Sequence, residues 1–255
     1  MRIQLHRDAR TFRAPQMTTA PLPKERIGGG YSRGQRLVET ASVIAFFAVE
    51  ALMVWRLTGV ARAWWLLPVT LCAFILSAFL ADLISGLVHW GCDTWGSVDT
   101  PVLGRVFIRQ FREHHVDPEE INRHDFVETN GTNAGLALLP RAVTYSLAFD
   151  LAHPTVVSWG LQIGGMGTAL FVTLTSQAHK WAHLPTVHPV IATLQRWGVM
   201  LSREHHDVHH VAPHMHHYSI TGGWIDPLLE ATRFFRVLET IITKVTGIQP
   251  RAHGP

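Results

Sequence analysis

The sequence predicts an all-α integral membrane helical bundle with about four spans and a cytoplasmic, histidine-rich helical cap. Three observations predict it. Hydrophobic residues make up 47% of the 255 residues and charged ones only 16%. Four apolar runs approach the length of about 20 residues that a transmembrane helix needs. Seventeen histidines occur, and fifteen of them lie between His89 and His217.

The chain begins with a basic arm, residues 1–36, holding eight Lys/Arg against two acids. Pro15, Pro21, Pro23 and the Gly28-Gly29-Gly30 run mark it as disordered. The membrane domain follows over residues 37–250, with a short tail at 251–255. Its first expected span is 37–57, blemished by Glu39 and Glu50. The second, 64–90, is the strongest, with Asp82 late in the run. The third, 134–152, is short and carries Pro140 and Arg141, so a re-entrant or interfacial hairpin competes with a full span. The fourth, 155–177, contains a Gly164-Gly165-x-Gly167 patch that permits close helix packing.

Short links join the first to the second span and the third to the fourth, so each pair reads as a tight hairpin. The arm, the 91–133 loop and the 178–255 tail then share one side. They hold eight, four and seven Lys/Arg, against Arg56 and Arg62 on the other. The positive-inside rule puts the large segments in the cytoplasm. Cys72 lies in an apolar run twenty residues from Cys92, which argues against a disulfide framework. A net charge of only +3 argues against a nucleic-acid partner.

The histidines fall into groups: His89 with Asp93; His114-His115, with His124 further on; His179 with His183; His205-His206 with His209-His210; then His214, His216 and His217. Residues four apart project from one helix face, so paired rings can converge on one ion. His179/His183, His205/His209 and His206/His210 have that spacing. The HHxxHH run offers more ligands than one metal can take from one helix, which points to two metals. Imidazole suits iron, zinc, copper and nickel. Zinc sites take three or four protein ligands, and eight or more histidines exceed that, so two irons are expected. Glu113, Asp117, Asp125, Glu204 and Asp207 are candidates to orient ligand rings, with ordinary solvated charge the stronger reading for most.

The strings HWGCDTWGS (89–97), FREHHVDPEEINRHDFVETNG (111–131), HKWAH (179–183), REHHDVHHVAPH (203–214) and TGGW (221–224) resemble the plasmanylethanolamine desaturase family. These are lipid desaturases, also called carotenoid-regulator-type membrane desaturases. The likeness covers residues 80–250. It implies an O2-dependent enzyme with two iron ions that forms the C1–C2 vinyl ether bond in the sn-1 alkyl chain of an ether phospholipid. Electrons would come from a cytochrome b5-like or ferredoxin-like donor. Carried over residue by residue, it implies His89, His114, His115, His179, His183, His205, His206, His209 and His210 as metal ligands. Asp93, His124 and His214 are further members of the set, while His216 and His217 read as surface residues. Arg112, Arg123 and Lys180 are candidates to hold the substrate phosphate. Three rivals stand beside this reading: a hydroxylase on the same centre, an acyl-chain desaturase, and a membrane metal-binding protein without redox chemistry.

Overall fold

The structure, a computed structural model, describes residues 31–60, 63–101, 103–104, 108–147 and 153–251. Among these the regular structure is helical, with no strand. Four long helices, α1 (Arg33–Val60), α2 (Leu66–Thr94), α4 (Phe126–Leu147) and α5 (Val156–His183), build a bundle. Five short ones, α3 (Arg109–Val116), α6 (Pro189–Arg196), α7 (Arg203–His209), α8 (Asp226–Ala231) and α9 (Phe234–Thr246), belong to the segments that follow α2 and α5. Residues 1–30 of the expected arm and 252–255 of the tail lie outside the described residues. Arg33–Arg36 form the first turn of α1, where Arg36 pairs with Asp125.

By length and composition α1, α2 and α5 can cross a membrane. At about 1.5 Å per residue their 28, 29 and 28 residues reach ~42 Å, against a hydrocarbon core of ~30 Å. Their ends must therefore project, and the C-terminal ends of α2 and α5 carry His89, Asp93, His179 and His183. The expected third span differs in register. Its helix starts at Phe126 rather than 134, because the polar ETNGTN stretch is helical too. Residues 148–152 of that run lie outside the described residues. Pro140 sits inside α4, and the helix continues through it.

The bundle is ordered α2–α5–α4–α1 by contact. Its outer face is apolar: Leu52, Trp55, Leu71, Ile75 and Leu76 are all exposed. Its seams are small and polar. Gly167 faces Ser77 of α2, and Gly165 faces Thr144 of α4, each so closely that a Cβ would clash. The glycine patch thus serves two neighbours, while Gly164 faces open space. Asn130 Nδ2 donates to Gln177 Oε1 and Asn133 Nδ2 to Ser176 Oγ. Such contacts bind helices where lipid tails give no hydrophobic drive.

Arg141, 2% exposed, donates to Glu50 at 3.1 Å and to Gln162 at 3.1 Å. Two blemishes of the apolar runs thereby satisfy each other. Replacing Arg141 with Ala is expected to cost about 3–5 kcal/mol, because it leaves Glu50 without its partner. The Arg141→Met, Glu50→Gln double variant should recover much of that. Thermal unfolding in detergent reads both.

The segment after α7 is stitched along α2. Asp82 accepts hydrogen bonds from the backbone N–H groups of Gly222 (2.8 Å), Gly223 (3.0 Å) and Ile225 (3.1 Å). Ser85 Oγ accepts from Ile220 N–H at 3.1 Å. Gly86 provides the bare surface for this approach, since a Cβ there would lie 2.8 Å from Ser219 Oγ.

Candidate metal centre

Four elements deliver the ligands. The last turns of α2 and α5 give His89 with Asp93 and His179 with His183. The last turn of α3 gives His114 and His115. Helix α7, capped by Ser202 accepting from His205 N–H, presents the HHxxHH run. Among the described residues three clusters of side chains could hold an ion: His205, His217 and Asp226 form one, apart from two adjacent groups that gather most of the ligands. His114, His179, His183, His206 and His210 form the first. His89, Asp93, His115 and His209 form the second. Within each group one ligand atom per residue lies within 4.8 Å of all the others.

The doublets split between the groups. His114 serves the first and His115 the second; His206 and His210 serve the first and His209 the second. Neighbouring residues on one helix point in different directions, so His114-His115 and His209-His210 each bridge the two positions. The rings of His114 and His210 lie 4.9 Å apart and those of His115 and His210 5.6 Å.

The ring nitrogens meet head-on. His179 Nε2 lies 2.8 Å from His206 Nε2, which is also 3.1 Å from His210 Nε2. His183 Nε2 lies 3.2 Å from His179 Nε2, and His115 Nε2 2.9 Å from His209 Nε2. In the second group Asp93 Oδ2 stands 3.5 Å from His89 Nε2 and 3.6 Å from both His115 and His209 Nε2.

Tautomers are fixed from outside the groups. A carbonyl can only accept, so the ring nitrogen facing it carries the proton. His89 Nδ1 donates to Tyr218 O at 3.1 Å and His209 Nδ1 to His216 O at 2.8 Å. Their Nε2 atoms are therefore lone pairs aimed inward. His89 Nε2, His114 Nε2 and both Asp93 oxygens are buried without a hydrogen-bond partner. Buried acceptors facing one another with no donor are costly; a cation removes that cost. Burial pushes the His115 ring down to about 3 and His210 to about 4, with His214 adding to both shifts. His114, His206 and His209 are also driven well below the ordinary imidazole value, chiefly by burial. All five rings are neutral at pH 7, the state a metal binds. The donor set fits two divalent transition metals.

Residues 78–253 match the lipid desaturase domain. The chain belongs to the lipid desaturase family. It is 44% identical over 227 residues to plasmanylethanolamine desaturase 1 of Mus musculus, covering 87% of this chain and 82% of that one. Plasmanylethanolamine desaturase of Myxococcus xanthus is 42% identical over 224 residues, 87% of this chain and 77% of that one. The chloroplastic fatty acid desaturase 4 of Arabidopsis thaliana is 34% identical over 177 residues, 68% of this chain and 51% of that one. No solved structure matches the chain.

The remaining sequence candidates of this lipid desaturase lie outside the two groups. His205 turns away from them: its Nε2 faces Asp226 Oδ2 at 2.8 Å and its ring stacks on His217 at 4.1 Å. His124 lies beside Glu128 at 3.8 Å. His214 stacks on His115 at 4.3 Å and its Nδ1 donates to His209 O at 3.0 Å, so it braces two ligands. Arg112 donates to the carbonyls of Cys92, Trp95 and Gly96, closing the C-terminal end of α2. Arg123 pairs with Asp117 at 2.7 Å, and Lys180 donates to the His124 carbonyl.

Four of the five acids named as candidates to orient ligand rings, Glu204 aside, lie beside cations instead. Glu113 lies 3.7 Å from Arg109, Asp125 is 2.5 Å from Arg36, and Asp207 is 3.9 Å from Arg203. Backbone carbonyls of Tyr218 and His216 do that work, and no side-chain pattern announces a carbonyl. Asp82 was visible only as a lone acid in an apolar run. In membrane spans such a residue is costly and marks a partner; here the partner is the 222–225 backbone.

Proposed function

We propose that the chain is an O2-dependent desaturase that forms the C1–C2 vinyl ether bond in the sn-1 alkyl chain of an ether phospholipid. One observation carries this reading beyond family membership. Nine ligand side chains divide into two touching groups at the end of an apolar bundle. Five and four ligands in adjacent groups exceed what one zinc ion takes. Two irons are proposed, held by His114, His179, His183, His206 and His210, and by His89, Asp93, His115 and His209. Bound there, they would supply the O2-derived oxidising power to break unactivated C–H bonds. The overall step balances as a CH2–CH2 unit losing two hydrogens while O2 takes two further electrons and two protons, giving two waters.

The chain's own residues set the conditions. The Tyr218 and His216 carbonyls hold His89 and His209 with Nε2 inward. His206 and His209 are fully buried, which keeps bulk water from the site. The apolar outer faces of α1, α2 and α5 suit a lipid substrate approaching within the bilayer. Positive-inside asymmetry supports a cytoplasmic position for the cap, where a cytochrome b5-like or ferredoxin-like donor would dock. Residues 37–250 are the proposed catalytic domain.

Expression in a host that makes ether phospholipids but lacks plasmalogens tests the substrate. Acid-labile vinyl ethers are expected, with products lighter by two hydrogens. Products heavier by one oxygen would make it a hydroxylase. An unsaturated acyl chain in place of the vinyl ether would favour the chloroplastic relative's chemistry. Zinc with no iron in the purified, folded protein would sink the redox reading altogether.

A further inference from the structure

The segment between α5 and α7 carries large apolar side chains with nothing packed over them. Trp197 is 74% exposed, Val190 58% and Val199 52%. No residue of α6 is buried. This segment does not stand clear above the bundle. The Gly198 carbonyl accepts the indole N–H of Trp224 at 2.5 Å, and the Trp224 ring lies edge-on to Phe79 with centroids 5.8 Å apart. Phe79 is ten residues before His89, about 15 Å back along α2 toward the bundle. Phe79 and its neighbours Leu76 and Leu80 belong to the exposed apolar band of a candidate span. The Trp197 turn is thus continuous with a surface that faces lipid.

The same face of α2, one to two turns closer to the metal centre, repeats the arrangement. Phe235 of α9 packs on Trp90 of α2, ring centroids 5.3 Å apart, in one apolar cluster with Leu83, Leu87, Leu238 and Ile242. Its outward side carries Val237, Ile241 and Val245, spaced four apart and 51%, 50% and 79% exposed. Exposed Arg196 and Lys244 border these apolar residues. An apolar stripe edged by cations, with a tryptophan at the boundary, is the composition of a helix lying in the membrane interface.

We propose that the α6–Trp197 turn and the outer face of α9 form a collar embedded in the interface of the leaflet that borders the metal centre. Its occupant is the phospholipid bilayer. The collar grips the membrane at two levels along one face of α2 and fixes the depth of the histidine cap over the lipid. This assignment needs the membrane bundle but not the vinyl ether reaction, so the two can fail separately.

The test is photo-crosslinking from benzoylphenylalanine placed singly at Trp197, Val199 and Ile241. The full chain is reconstituted in vesicles of phosphatidylethanolamine and phosphatidylglycerol. Leu76 on the lipid face of α2 is the positive reference. Asp207, on the charged outer face of α7, is the solvent reference. Metal content equal to that of the unsubstituted protein certifies folding, and three positions keep the test alive if one variant fails. Phospholipid adducts at the collar are expected within about threefold of Leu76 and at least about tenfold above Asp207, the contrast between interface and water. Yields at the Asp207 level overturn the proposal. So do adducts to a second copy of the chain or to another protein in place of lipid.

Discussion

Replacing His206 with Ala is expected to lower desaturation by at least ~100-fold, beyond the 10–100-fold typical of removing a residue that merely supports a ligand. It is also expected to remove one of the two proposed metal ions per chain. His206 is 0% exposed, and its Nε2 faces those of both His179 and His210. Alanine takes the middle member from the first group and leaves four rings from three helices. The neighbouring change, His205→Ala, should behave differently although it lies one residue away. His205 faces Asp226, so its loss should leave the metal count unchanged. It should cost about 1–3 kcal/mol of stability, as a buried carboxylate loses its hydrogen-bond partner. Metal analysis of the two purified variants, with thermal unfolding, separates them. Equal metal loss in both would show that His205 is a ligand and that the two groups are wrongly drawn.

That contrast marks how far histidine spacing could be read. Rings four apart on a helix share a face, so the joint supply from α5 and α7 was legible from HKWAH and REHHDVHH. The 205/209 pair has the same spacing, yet the structure sends His205 to Asp226 and His209 to the second group. Spacing fixes which rings are side by side on one helix, while the partner across the gap decides which lone pair each presents. The same limit explains His124 and His214, which lie near the motifs in sequence and outside both groups in space. Carbonyl orienters were illegible because every residue has a carbonyl.

The spans were legible where the helix is uniformly apolar and blurred where it is not. The run 37–57 falls within α1, and the runs 64–90 and 155–177 begin one or two residues before α2 and α5; all three helices extend past the runs' C-terminal ends. Hydropathy cannot see those turns, although those of α2 and α5 carry Asp93, His179 and His183. Helix α4 was shifted because Asn130 and Asn133 look like loop residues, whereas they bond Gln177 and Ser176 of α5. The charged blemishes proved to be joints: Glu50 to Arg141, and Asp82 to the loop that supports the second metal group.

Asp82→Ala should therefore be the most destabilising single change in the bundle. It leaves the N–H groups of Gly222, Gly223 and Ile225 without their acceptor in a largely buried region. Each such donor costs about 1–3 kcal/mol, so the three together come to about 3–9 kcal/mol. Asp82→Asn should be intermediate. Its carbonyl oxygen can keep Gly222 and Gly223, but its amide would then face the Ile225 N–H, donor against donor. The effect should travel along the 216–226 segment, whose Tyr218 and His216 carbonyls hold His89 and His209. Both rings belong to the second group, so Asp82→Ala should weaken metal retention there by about 10–100-fold while the first group keeps its ion. Thermal unfolding in detergent, followed by metal analysis of protein purified at low temperature, reads both consequences. A variant that unfolds with the unsubstituted protein and holds both metals would mean that the 216–226 segment is supported by Ser85, Thr175 and the α9 packing without Asp82.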